Sequence, residues 1–270
     1  MRPYLAASLC VFLSWSTGCR QTLSSSAEYR KDAPKVWEEL LSQVVTEDGR
    51  VDYDTLEAQR GALDVYVAWL GSERSWQGRL TKDWHAQYLN AYNALVLFQV
   101  LERGRPDSVL DVRGAIPKGG FKFFHTTQFP LGDESLTLSE IENERLRWKE
   151  MDERDHGAMN CASASCPPLR AELYRTPALQ TQLDDQMKRW LSDPQRGVRI
   201  ENGQAVFNPI FDWFERDFSF FTAGQDPCAM AAGYVDPPLS TELRDLSNRG
   251  CPHTYFDYDW SLNDASASGS

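Results

Sequence analysis

No apolar run in this chain approaches the roughly 18 residues that a membrane-crossing helix needs, so no spanning segment is expected. Cations are scarce relative to acids: 28 Lys plus Arg stand against 39 Asp plus Glu, a formal charge of −11. Without a cation surplus few counterions can be released from a phosphate backbone, which argues against nucleic acid as a partner. Histidine is sparse. Four copies, at 85, 125, 156 and 253, show no paired ligand spacing, so no metal site is expected, and no cofactor either. There is no internal repeat, and no Cys-x-x-Cys in a βαβ pattern, which weakens a thiol-redox reading.

What is present reads as globular. A composition of 41% hydrophobic and 25% charged residues excludes wholesale disorder, and 270 residues suit one domain with additions. Residues 1–18 read as a secretory signal: Arg2 is the positive region, Leu5 to Trp15 the apolar stretch, and Ser16-Thr17-Gly18 a run of small residues before Cys19. Gly before Cys resembles a bacterial lipoprotein cleavage site, after which Cys19 would carry the lipid, palmitate included. Ser16 departs from that motif, where Leu is usual, and the same run also suits ordinary signal peptidase. The expected location is the cell envelope, on the periplasmic side of a membrane. Arg20 rather than Asp after Cys19 favours the outer membrane, and the lipid is the only membrane contact expected. Residues 19–33 read as a polar tether. With Cys10 in the signal and Cys19 at the anchor, four of the six cysteines remain: Cys161, Cys166, Cys228 and Cys251. An even remainder in an oxidising compartment suits disulfide pairing.

Periodicity predicts helices over 34–46, around Leu63 to Leu70, over 81–103, and from a Ser139–Glu142 capping box to about Lys149. Further helices are expected from Thr176-Pro177 through Leu191 and over 210–218. Residues 119–138 read as extended segments, and His156 to Ala162 as a buried strand. Val198 to Phe207, hinged on Asn202-Gly203, is the clearest hairpin. The expected class is α+β: a single, mainly helical domain over 34–221 with short antiparallel hairpins. Residues 222–263 are expected to be an irregular extension and 264–270 a disordered tail. In that extension Tyr255, Phe256, Tyr258 and Trp260 are too aromatic to be left in water, so the run is expected to pack back on the domain. A Cys228–Cys251 disulfide is expected to close the loop.

Four segments in order then become specific. They are Gly49-Arg50-Val51-Asp52-Tyr53; Asn90-Ala91-Tyr92-Asn93-Ala94-Leu95; Asn160-Cys161-Ala162-Ser163-Ala164-Ser165-Cys166-Pro167-Pro168-Leu169; and Ile210-Phe211-Asp212-Trp213-Phe214 leading to Asp217-Phe218. Together they resemble the family catalogued as domain of unknown function 547. The resemblance implies an α+β domain, in bacteria often exported, with a cysteine-hydrolase-like site at the Cys of the Asn-Cys-Ala-Ser segment. The family's Ile-Glu-His reads Ile141-Glu142-Asn143 here. If that His is the base, this chain lacks it.

Cys161 is the candidate nucleophile, needing a base to become a thiolate; the competing reading is a local disulfide with Cys166. His156 is a candidate base. Along a strand, however, five positions span about 16 Å and end on the opposite face, so contact requires a reversal that the sequence does not signal. His125 lies in an aromatic segment and could approach from a neighbouring strand. Glu142 is either a catalytic acid or the capping-box acid. Asn90, Asn93, Asn143 and Asn160 are candidate ligand-binding residues, with hydrogen bonding to buried backbone as the alternative. Trp213, Phe214 and Phe218 read as core. Two functions follow: a degenerate cysteine-hydrolase-like cleft binding a peptide, glycan or protein of the envelope, or an active cysteine-dependent hydrolase or acyltransferase using Cys161.

Overall fold

The computed structural model describes residues 20–78, 81–112 and 119–269. The signal-like segment and Cys19 lie outside the described residues. The chain is an α+β domain, mostly helical, with two small three-stranded sheets.

Helix α1 (Ala33–Val44) buries Trp37, Leu40, Leu41 and Val44, one face of a 3.6-residue period, with proline in its first turn. It leads through α2 (Tyr53–Ala58), capped by Asp52, to α3 (Gly61–Leu70), which packs back on α1. Helix α4 (Thr81–Glu102) is the central rod. From Ala86 to Leu101 it is buried on every side, Leu89, Ala91, Leu95 and Val96 completely, so its wide apolar stripe is that of a core helix rather than a surface one.

The first sheet pairs β1 (Gln21–Thr22) parallel to β2 (Thr127–Leu131), and β2 antiparallel to β3 (Glu134–Thr137). The start of the expected tether is therefore an edge strand, fastened also by Leu23 N–H to Gln128 O at 2.8 Å and by an Arg20–Glu140 ion pair at 3.0 Å. After β3 the chain runs as α5 (Leu138–Glu140), a wider-pitched π-helical stretch (Ile141–Arg147) and α6 (Trp148–Glu150). The capping box is formed by Thr137 and Glu140, not by Ser139 and Glu142, because β3 ends at Thr137 and the helix starts at Leu138. Glu142 is thereby released from a capping role.

Residues 155–158 correct the strand expected from His156: they form a short helix, α7 (Asp155–Ala158). A short apolar run does not by periodicity distinguish strand from buried helix. Here Asp152, accepting from Arg154 N–H at 3.0 Å, starts the turn. Helix α8 (Leu179–Leu191) follows and lays Met187 and Trp190 into a second core. In the hairpin of β4 (Val198–Glu201) and β5 (Gln204–Phe207), Glu201 pairs with Gln204 across Asn202 and Gly203, whose φ angles of 50° and 77° are the left-handed pair such a turn needs.

The second core is completed by α9 (Ile210–Trp213), α10 (Glu215–Phe220), α11 (Pro227–Ala231) and α12 (Leu239–Ser247). The segment expected to be irregular thus holds two helices and also β6 (His253–Tyr255), parallel to β5. Pro227 opens α11 and Pro238 stands at the cap of α12, so these prolines start helices instead of excluding them. Cys228 and Cys251 are disulfide-bonded, with Cα atoms 5.7 Å apart. The tail, too, is docked: Asp264 bridges Val51 and meets Arg105 at 3.1 Å.

Candidate active-site cleft

The Cys161 loop is built from backbone outward. Asn160 N–H donates to Asn93 Oδ1 at 2.8 Å, the Asn160 carboxamide oxygen accepts from Ala162 N–H at 2.9 Å, and its Nδ2 donates to Pro167 O at 2.7 Å. Ala162 consequently sits at φ 61°, a conformation rarely adopted by residues with a side chain. This sharp turn leaves Cys161 half-buried at the surface of a cavity of about 310 Å³. The Cys161 and Cys166 sulfurs lie at disulfide distance, with Cα atoms 6.1 Å apart. The outer side of the loop is strapped by the C-terminal segment, through Ala164 N–H to Ser261 O at 2.7 Å and Asp259 N–H to Ser165 Oγ at 2.9 Å.

His156 lines the same cavity. The helical turn of α7 supplies the reversal that a strand would have denied. Its Nε2 is 2.9 Å from Asp217 Oδ2, and its ring packs between Phe214 and Phe218, with centroids at 4.4 and 5.0 Å. Arg147 Nε donates to the same Asp217 oxygen at 2.6 Å. Burial works against the charge of Asp217, but the His156 and Arg147 hydrogen bonds outweigh it and hold the carboxylate below its ordinary value. Its second oxygen, Oδ1, is buried without a hydrogen-bond partner.

Glu142 also faces the cavity, hydrogen-bonded to Tyr92. Burial pushes its pKa up, opposed by the nearby His156 and Arg147 charges. Burial, with Glu142 beside it, likewise pushes the Tyr92 phenol up. Asn143, at the position of the family's histidine, lines the cavity too; its Nδ2 donates to Ser139 O at 2.8 Å and its Oδ1 accepts from Arg147.

The rim is aromatic. Trp213 is 46% exposed and stacks on Trp260 at 5.6 Å between centroids and 15° between planes. Tyr258 fills the corner, 4.9 Å from Trp213 and 4.6 Å from Trp260, and its hydroxyl accepts from Ser163 Oγ at 2.9 Å and lies 3.3 Å from Cys161 Sγ. His125, stacked on Phe121 at 5.0 Å, closes another side.

Of the sequence-derived candidates, the fold brings Cys161, His156, Glu142 and Asn143 together at this cavity. Asn90, Asn93 and Asn160 lie outside it, because their carboxamides are committed to backbone: Asn90 holds both polar groups of Tyr174, and Asn93 donates to Ala158 O at 2.9 Å. Trp213 is a rim residue rather than core, whereas Phe218 is buried. His85 lies elsewhere, its Nε2 2.6 Å from Asp155 Oδ1. Beside the Cys228–Cys251 bridge lies Asp226, but both sulfurs are bonded to each other and the carboxylate caps α11. Asp217, Arg147, Tyr92, Tyr258 and Trp260 escaped the sequence reading. Asp217 stood in a quoted motif and the two aromatics in the C-terminal run, but nothing local tied them to Cys161.

Residues 80–191, which carry Glu142, Asn143, His156 and Cys161, match the family model described as "Protein of unknown function, DUF547". Over those residues the chain is similar to the DUF547 family. Asp217, Tyr258 and Trp260 lie beyond the matched DUF547 span, so the cleft joins family residues to a wall from the C-terminal segment. No curated protein and no solved structure matches the chain.

Proposed function

We propose that the cleft is a ligand-binding site of cysteine-hydrolase ancestry that is degenerate in its disulfide form and takes up a peptide, glycan or protein of the bacterial cell envelope. The observation that carries this reading is the pairing of a committed sulfur with a solvent-exposed aromatic wall. Cys161 is joined to Cys166 and so has no thiol to attack with, while Trp213 exposes a ring face beside Trp260 and Tyr258. Half-exposed tryptophan in a concave site is costly in water and favourable against a sugar ring or an apolar side chain. Export to the envelope, with a lipid on Cys19, is part of the same proposal. The N-terminal sequence pattern supports it, as do two cysteine pairs suited to an oxidising compartment.

The test is a tryptophan-fluorescence titration of the oxidised protein with soluble cell-wall fragments carrying both glycan and peptide. Binding that Trp213→Ala weakens about tenfold supports the cleft; no binding, or binding indifferent to the substitution, overturns it. For the anchor, Cys19→Ser should move the protein from the membrane to the soluble fraction, and a wild type that is already soluble defeats the lipid assignment. A second reading, an active hydrolase or acyltransferase, is favoured by the hydrogen-bonded His156–Asp217 pair in the cavity that holds Cys161.

A further inference from the structure

The degenerate cleft holds more machinery than binding requires. A buried imidazole hydrogen-bonded to a buried carboxylate, itself fixed by a guanidinium, orients a base. With Nε2 on Asp217, the remaining ring nitrogen, Nδ1, makes no hydrogen bond to any described residue and is not among the enclosed, unpartnered polar atoms, so it is left to the cavity. Cys161 opens onto that cavity on the turn made by Ala162. Asn143 does not supply a base there, and its carboxamide is tied to Ser139 and Arg147.

We propose that the Cys161–Cys166 disulfide masks a latent nucleophile, and that on reduction Cys161 is activated by His156, with Asp217 as the residue that positions the imidazole. The proposal shares the cavity of the binding reading but stands apart from the identity of any ligand. The unmasking step consumes one equivalent of a dithiol: its two sulfurs become a disulfide, and Cys161 and Cys166 take up the two electrons and two protons as thiols. His156 Nδ1 then accepts the Cys161 proton, giving a thiolate–imidazolium pair that the Asp217 carboxylate stabilises. Against an acyl substrate the sulfur forms a thioester, and the imidazolium proton leaves with the departing amine or alcohol. Tyr258, 3.3 Å from Sγ, is placed to steady the thiolate with its hydroxyl. The other titratable or charged groups facing this pair are Glu142 and Tyr92 from the helices above, His125 from the opposite side, and Arg147 through Asp217.

The experiment is iodoacetamide alkylation of the full chain, with modified peptides identified by mass spectrometry across pH 5 to 9. Oxidised wild type should resist labelling at Cys161, and dithiothreitol should open it. In Cys166→Ser, where the bridge is absent, the alkylation midpoint should fall below the ordinary thiol value near 8.5 by about one unit, a tenfold gain in thiolate at neutral pH. His156→Gln in that background should remove the gain, and Asp217→Asn should move the midpoint back toward 8.5 while His156 remains. Should either variant fail to fold, the pH profile of reduced wild type carries the same test. A Cys161 profile near 8.5 in both Cys166→Ser and reduced wild type overturns the proposal, and so does a lowered midpoint that His156→Gln leaves unchanged. Ligand binding by the oxidised protein is measured separately, so either idea can fail alone.

Discussion

The Tyr53 hydroxyl donates to Asn263 Oδ1 at 2.8 Å, linking residues 210 positions apart. Asn263 passes the link on, donating from Nδ2 to Asn160 Oδ1 at 3.2 Å, so the residue before Cys161 is tied through the C-terminus to α2. All three side chains are buried. Tyr53→Phe strands the Asn263 oxygen and should cost about 1–3 kcal/mol in urea unfolding. A loss within error of zero would show that water replaces the hydroxyl.

Gly49, in the first motif, has φ +77°, and a Cβ there would lie 2.4 Å from Pro168 Cβ and 2.7 Å from Pro168 Cα. Gly203 shares the φ of +77° but has nothing within 4 Å of such a Cβ. Gly203→Ala should therefore cost only the left-handed backbone penalty of about 1–2 kcal/mol. Gly49→Ala should cost clearly more, because backbone of the Cys161 loop must move. Equal shifts in melting temperature would refute the packing argument.

Burial raises Asp155 from an ordinary 3.8 to about 6, only partly opposed by its hydrogen bond from His85. Burial disfavours charge on His85 as well, yet Asp155 and Glu150 leave its pKa raised. Both groups thus hold protons more tightly folded than unfolded. Their stabilisation is present below the unfolded values and is lost as pH rises, through about 6 for Asp155. Asp155→Asn should remove the Asp155 part of that decline between pH 4 and 6, making the slope of unfolding free energy against pH more positive. An unchanged slope would mean the folded carboxyl titrates normally.

The Cys228–Cys251 bridge spans 23 positions, all but fixing α11, α12 and the start of β6 as one unit. Replacing both cysteines by alanine should cost about 3 kcal/mol through the unfolded chain. Because Tyr258 and Trp260 follow in the same segment, the loosened variant should also show tryptophan emission shifted toward that of a solvated ring. Retained stability with unshifted emission would leave the helices, not the bridge, as the anchor.

The sequence alone determined the elements whose signal is local. Trp37, Leu40, Leu41 and Val44 report a helical face within three turns, and Asn202-Gly203 supplies both left-handed residues of its hairpin at adjacent positions. The α+β class and the match to the family segments are legible for the same reason: each depends on residues close together in the chain. Residues 155–158 were not legible, because Asp155, His156, Gly157 and Ala158 set no period within four positions and the arbiter, Asp152 with Arg154, lies outside the run. Nor was the cleft. His156 and Asp217 are 61 positions apart, and Cys161 and Tyr258 are 97 apart, so their meeting depends on how α10 and the C-terminal segment pack on α7 and the Cys161 loop. Only tertiary structure decided that, since burial of the second core brings the C-terminal segment over the first and carries its aromatic wall with it.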